Sequence, residues 1–125
     1  MSHYVDGYVV PVKRDRLEEY RRMAEGFGAM WMEFGALSYW ECVADDVKPG
    51  EVTSFPQAVQ LQDDEIVILS WTVFRSREDR DRANQKVMDD PRVKDLVGDK
   101  AKWPFDGKRM FFGGFRTIVE LDEKP

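Results

Sequence analysis

The run Glu65-Ile66-Val67-Ile68-Leu69-Ser70-Trp71-Thr72-Val73-Phe74 is the strongest β signal in the chain. Val67, Leu69, Trp71 and Val73 fall on one side at period two, and Ile66, Ile68 and Phe74 on the other. A strand that is apolar on both sides is covered on both sides, so it belongs in the middle of a sheet. The flanking segments must then supply its neighbours and its cover.

Working towards the N-terminus, Asp63-Asp64 is a turn signal, and residues 45–57 are the least regular part of the chain. Pro49-Gly50 is a turn, and Ser54 before Pro56 is placed to cap one short helical turn over 55–60. Leu37 to Ala44 alternates Leu37, Tyr39, Glu41 and Val43 against Ser38, Trp40, Cys42 and Ala44, a second strand. Before it, Asp15 followed by Glu18 has the spacing of a capping box. Leu17, Tyr20, Ala24, Phe27, Trp31 and Phe34 then recur at steps of three and four, one apolar stripe of a helix that Gly35 ends. Gly26 and Gly28 each weaken that helix by about 1 kcal/mol relative to alanine, which predicts close approach by a neighbour. Tyr4 to Val12 is the first strand, with Tyr4, Asp6, Tyr8 and Val10 opposite Val5, Gly7 and Val9.

Working towards the C-terminus, Ser76 caps a second helix, with Asp79 at the box position, through Ala83, Asn84, Val87 and Met88. Pro91 opens a short helix to Val97, closed by Gly98. The segment from Trp103 to Phe115 runs an aromatic loop through Asp106-Gly107, a turn dipeptide suited to positive φ, into a last strand. Gly113-Gly114 inside that strand predicts a bulge or a close approach. The order β-α-β-β-α-β over residues 1–125 reads as a single α+β domain. Two right-handed crossovers interleaved round a hairpin make a ferredoxin-like plait, a four-stranded antiparallel sheet with both helices on one face. Trp40, Trp71, Phe111, Phe112 and Phe115 exceed what two helices can cover. A large bare apolar face predicts a homodimer packed sheet to sheet.

The composition narrows the function classes. With 125 residues, 42% hydrophobic and 13% aromatic, the chain is globular and not disordered. A net charge of −5 disfavours a nucleic-acid partner. Cys42 alone cannot close an intramolecular disulfide, which fits a reducing compartment. The first residues lack a signal-peptide pattern, and apolar runs such as 66–69 are too short for a membrane span, so a soluble cytoplasmic protein is expected. One histidine, His3, and one cysteine make no metal-ligand cluster. There is no P-loop, Rossmann fingerprint or serine-nucleophile elbow, and no cofactor is expected.

Several segments are distinctive: Tyr4-Val5-Asp6-Gly7, Asp45-Asp46-Val47, Pro49-Gly50, Thr53-Ser54-Phe55-Pro56 and Asn84-Gln85-Lys86-Val87-Met88-Asp89-Asp90-Pro91-Arg92. With Ser70-Trp71, Pro104-Phe105-Asp106-Gly107-Lys108-Arg109-Met110 and Gly113-Gly114-Phe115, they resemble the YbaA-like family of bacterial proteins of unknown function. The resemblance spans nearly the whole chain and implies a dimeric α+β barrel. The wider superfamily includes cofactor-independent monooxygenases, haem-dependent enzymes and small isomerases. Neither helix here offers a histidine for haem, and the family brings no established reaction with it.

Candidate chemistry rests on two strand faces. Asp6 with Tyr8, and Tyr39 with Glu41, share faces of the first and second strands. A carboxylate buried there would have a raised pKa and could act as a base, with a tyrosine hydroxyl holding a developing oxyanion. The structural alternative is that these acids bond backbone or partner side chains at the dimer seam. Trp71, Trp40, Asn84 and Met88 are candidates for binding a flat organic ligand, with Trp31 and Phe34 as further walls. Aromatics at these periods serve core or interface more often. Lys100, Lys102, Lys108 and Arg109 form a basic rim that an anion could occupy. Residues 75–82 alternate charge and read as a solvated helix face. The expected function is a homodimer binding a small organic ligand. A cofactor-independent monooxygenase- or isomerase-like enzyme is the alternative, with Asp6 or Glu41 as base and Tyr8 or Tyr39 as donor. A dimer serving only as a structural or interaction module is the third.

Overall fold

The computed structural model describes residues 2–123. Its strands are β1 (Tyr4–Lys13), β2 (Ser38–Val43), β3 (Glu65–Phe74) and β4 (Phe111–Arg116). Its helices are α1 (Leu17–Glu33), α2 (Phe55–Ala58), α3 (Arg77–Asp89) and α4 (Arg92–Val97), with 3-10 turns at Arg14–Arg16 and Lys100–Lys102. The sheet order is β2-β3-β1-β4 and all neighbours are antiparallel. β3 is interior as its double-sided pattern predicts, paired with β1 from Tyr4↔Phe74 to Lys13↔Glu65.

Register assigns every side chain to one face. Glu41, Ser70, Tyr8 and Phe112 form one cross-strand row, and Tyr39, Thr72, Asp6 and Gly114 form the next row on that face. Both lie under the helices. The intervening row, Trp40, Trp71, Gly7 and Gly113, faces away. Under the helices, Phe74, Ala36 and Ala83 pack with Tyr4, Trp31 and Phe34, while Val10, Val12 and Ile68 pack with Leu17, Tyr20, Phe105 and Met110. On the far face Val9 and Val67 are sealed by Val59, just after α2, and by Leu61. The irregular stretch thus covers one end of that face and leaves the other end open.

At the open end the Trp40 and Trp71 rings stack at 5.6 Å, and Trp40, Phe111 and Phe115 are 58%, 45% and 62% exposed. Phe112 also stays uncovered, 68% exposed, but on the other side of the sheet from the rest. It lies on the helix side, stacked on Tyr8 at 5.8 Å, because its cross-strand partner is Tyr8 and not Val9.

Local chemistry explains most element ends, with corrections. Ser76 Oγ accepts from the Asp79 amide at 3.1 Å and Ser54 Oγ from the Gln57 amide at 3.2 Å, as their positions predict. Asp15 does not cap α1: the chain enters through the 3-10 turn, and no side chain caps the helix. Glu18 instead receives the Arg21 guanidinium at 2.8–3.1 Å, since a charge-assisted bond one turn on is stronger than a bond back to a neutral amide. Gly35 and Gly98 end α1 and α4 at φ of 116° and 55°, backbone that L side chains avoid. Gly107 does not use positive φ. Its turn is made by Asp106, whose carboxylate accepts from the Lys108 amide at 2.9 Å. Gly113-Gly114 makes no bulge, since β4 pairs with β1 without a break, but a Cβ at Gly114 would collide with the Tyr4 hydroxyl and Arg80. Among the described residues, no helix is long and apolar enough to cross a membrane.

Candidate functional site

The apolar stripe of α1 comes down on the row Glu41–Ser70–Tyr8. Gly28 makes this approach possible, because a Cβ there would run into the Tyr39 ring; Gly26 likewise makes room for Leu96 of α4. The helix and sheet do not close completely. Between them lies a cavity of about 180 Å³ walled by Tyr8, Tyr20, Phe27, Trp31, Tyr39 and Phe105, with Met23, Val10 and Met110 filling gaps and Glu41 and Ser70 on its floor. Trp31 is the hub of the rings, 5.3 Å from Tyr39, 5.8 Å from Phe27 and 6.2 Å from Tyr8. A second cleft of about 640 Å³ shares Tyr20, Ala24, Tyr39 and Glu41 with the first. It opens outward between Leu17, Glu18, Arg21 and Glu25 of α1 and Val43 on the edge of β2. Glu41 therefore borders both spaces.

Two phenols hold the Glu41 carboxylate. Tyr20 Oη donates to Oε1 at 2.7 Å and Tyr39 Oη donates to Oε2. Burial pushes the Glu41 pKa above the ordinary value of 4.5, and the hydroxyls of Tyr39, Tyr20 and Ser70 pull it only part of the way back. Tyr20 and Tyr39 are pushed above 10, first by burial and then by the charge on Glu41, and Tyr8 by burial and then by Asp6. The phenols are thus neutral donors at physiological pH, around a carboxylate that binds a proton more readily than one in water. Such a group can accept a hydrogen bond or a proton from a bound molecule.

The four candidate catalytic residues separate. Tyr8, Tyr39 and Glu41 reach the cavity; Asp6 does not line it. Asp6 is buried, with Arg80 Nε at 3.5 Å and Asn84 Nδ2 donating at 3.3 Å. Asn84 Oδ1 in turn accepts from Trp31 Nε1 at 3.0 Å, and Arg80 donates to Tyr4 Oη at 3.0 Å. Burial raises the Asp6 pKa and Arg80 and Asn84 oppose it. This network ties β1 to α3 and α1 and orients the Trp31 ring, a structural role within one chain and beneath the helices, not at a dimer seam.

The ligand-binding set separates as well. Trp40 and Trp71 lie on the opposite face of the sheet from the cavity, because their row alternates with that of Glu41. Met88 points to solvent, 70% exposed. Asn84 acts on the cavity only through Trp31. Arg109 is unavailable to an anion: its guanidinium forks onto Glu65 at 2.7 and 2.6 Å and reaches Asp106 and the Val59 and Gln60 carbonyls. His3 pairs with Glu120 at 2.6 Å. Among the described residues, no group of three or more His, Cys, Asp or Glu is placed to hold a metal ion. Tyr20, Ser70 and Phe105 belong to the site but were not singled out from sequence as site residues. For Tyr20 the signal was a hydroxyl in an otherwise apolar helix stripe.

This sheet order with both long helices on one face defines the ferredoxin-like α+β class. The crystal structure of a dimeric ferredoxin-like protein from an uncultured marine organism aligns with a TM-score of 0.58 at 9% identity, over 99% of this chain and 95% of that one. That of a nipsnap family protein of unknown function from Agrobacterium tumefaciens aligns at 0.55 and 14% identity, over 92% and 87%. At the level of sequence, the uncharacterised protein YbaA of Escherichia coli K12 is 49% identical over 117 residues, 94% of this chain and 97% of its own length. Residues 3–107 match the family described as "Protein of unknown function (DUF1428)", and the chain belongs to that family.

Proposed function

We propose that this protein binds a small flat organic molecule in the chamber beneath α1, with Glu41 as its polar anchor. The observation that carries the reading is one carboxylate shared by the linings of two neighbouring spaces, the inner of which is walled by six aromatic rings. Apolar concavities with a few convergent polar groups are the usual form of small-molecule sites. An apolar cavity of about 150 Å³ already admits benzene, so the inner space is large enough for one ring, and the outer cleft leaves room for substituents. The bare face bearing Trp40, Trp71, Phe111 and Phe115 supports a homodimer packed sheet to sheet, as does the dimeric description of the marine ferredoxin-like relative. The lone Cys42 supports a cytoplasmic setting.

The test is a thermal-shift and tryptophan-fluorescence screen against monocyclic and bicyclic aromatics. Binders are expected to raise Tm and perturb Trp31 emission. Ala24→Leu, which fills the wall common to both spaces, is expected to weaken binding tenfold or more while leaving circular dichroism unchanged. A screen in which no compound shifts the wild-type protein would dismiss the reading.

A second reading is favoured by the two neutral phenols beside the raised carboxylate. In it Glu41 removes a proton from an acidic C–H, and as the carboxylate is neutralised the hydroxyl of Tyr39 or Tyr20 turns from it to donate to the enolate or phenolate oxygen that forms. Isotope exchange at the acidic carbon of a bound compound, abolished in Glu41→Gln, is the expected signature; equal exchange in the variant would refute it.

A further inference from the structure

The small-ligand reading leaves the charge of the ligand undetermined, and the surroundings of Glu41 bear on it. Its carboxylate accepts from the Tyr20 and Tyr39 hydroxyls, and among the described residues it forms no ion pair with a lysine or arginine, whereas Glu18 and Glu25 beside it do. Other buried or part-buried acids here do have a cation, Glu65 with Arg109 and Asp6 with Arg80. Glu41 is half-buried with neutral hydroxyl partners, and a partly desolvated carboxylate gains most from a positively charged partner.

The ring faces have the same polarity. Tyr8, Tyr20, Phe27, Trp31 and Tyr39 surround the inner space, and aromatic faces attract cations through their quadrupole. The entrance agrees: the outer cleft is lined by Glu18, Glu25 and Glu41 against a single guanidinium, Arg21. That guanidinium is shared between Glu18 at 2.8 Å and Glu25 at 2.5 Å, and Arg22 approaches Glu18 at 3.6 Å, so the unbalanced charge of the lining is that of Glu41. A negatively lined mouth raises the local concentration of cations and repels anions.

Resting on the small-ligand reading, we propose that the chamber selects organic cations. The ligand class is a protonated amine or quaternary ammonium on a flat apolar body, its charge against Glu41 and its body among the rings. A protonated amine would donate to an acceptor direction of Glu41 that Tyr20, Tyr39 and Ser70 leave open, since a carboxylate accepts about four hydrogen bonds; a quaternary ammonium, which has no N–H, would meet the carboxylate through charge alone.

The test compares benzylamine, benzyltrimethylammonium, benzyl alcohol and benzoate by isothermal titration calorimetry at pH 7.5, where the amine is protonated. At least one of the two cations is expected to bind tenfold or more tighter than benzyl alcohol, and benzoate is expected to bind more weakly than the alcohol. Glu41→Gln is expected to bring benzylamine and benzyl alcohol within about twofold of each other. The wild-type ratio of amine to alcohol needs no variant, so the proposal remains testable if Glu41→Gln does not fold. Alcohol or benzoate binding as well as both cations would overturn cation selection and leave the small-ligand reading standing. So would binding of uncharged aromatics from the wider screen when neither cation binds. Failure of every compound in both experiments would overturn the two readings together.

Discussion

Tyr20 Oη donates to Glu41 Oε1 at 2.7 Å, so the first helix and the edge strand meet through a single carboxylate on the wall common to two cavities. Tyr39 holds the other oxygen. The site and the stability of the helix–sheet contact are therefore linked through the same group.

Tyr20→Phe removes one donor and adds no bulk. A hydrogen bond to a charged group contributes about 1.5–3 kcal/mol, so the variant is expected to lose up to that amount where Glu41 is ionised, and less in acid. Urea denaturation at pH 5 and pH 8 checks this; an equal loss at both would show that the bond does not depend on the charge.

Glu41→Gln reports the raised pKa. A carboxylate whose folded pKa lies above its unfolded value binds its proton more tightly in the native state. Its contribution is fully present below the unfolded value near 4.5 and is lost as pH rises through the folded pKa. The stability of wild type relative to Glu41→Gln should fall with rising pH across that window. Denaturation midpoints from pH 4 to 8 measure it, and a difference that grows with pH would contradict the assignment.

Glu65 behaves in the opposite sense. It is 1% exposed and forked by Arg109, whose bonds hold its carboxyl below the usual range, so its contribution is present above about pH 4.5 and is lost as pH falls through the folded pKa. Arg109→Ala leaves that carboxylate without its cation and is expected to cost about 3–5 kcal/mol at pH 7. Adding Glu65→Gln should restore part of the loss, as read by chemical denaturation; no recovery would place the effect in the Arg109 carbonyl contacts.

Gly28→Ala sets two effects against each other. Alanine favours the helix by about 1 kcal/mol, but its Cβ would collide with the Tyr39 ring, and overpacking costs about 1–3 kcal/mol. The ring cannot yield without pulling its hydroxyl from Glu41. A net loss of stability, together with a changed environment for Tyr39 by NMR, is expected; a stabilised variant would mean that α1 does not approach β2 this closely.

Sheet-to-sheet pairing predicts sedimentation at about twice the chain mass of 14.6 kDa. Trp40→Glu, on the exposed stack, should shift the population towards single chains with its far-UV spectrum unchanged. Wild-type sedimentation as a single chain at micromolar concentration would remove the homodimer.

The order of elements was legible in the sequence because period two and period 3.6 are local properties of a chain. Glu65–Phe74 showed itself as an interior strand by its two apolar sides, Ser76 and Ser54 marked helix starts, and Gly26 and Gly28 marked close contacts. The same alternation put Tyr39 with Glu41 and Asp6 with Tyr8. What it could not decide was which face of β2 and β3 the helices would cover, since Trp40 and Trp71 make the other face equally apolar. Register and helix docking decided that. They carried Trp40 and Trp71 away from Glu41, and they brought Tyr20 onto it from 21 residues away. They also matched Asp6 with Arg80 and Asn84, more than seventy residues on. The fold class follows from patterns within segments; the chamber and its carboxylate exist only through contacts between segments far apart in the chain, which no single segment encodes.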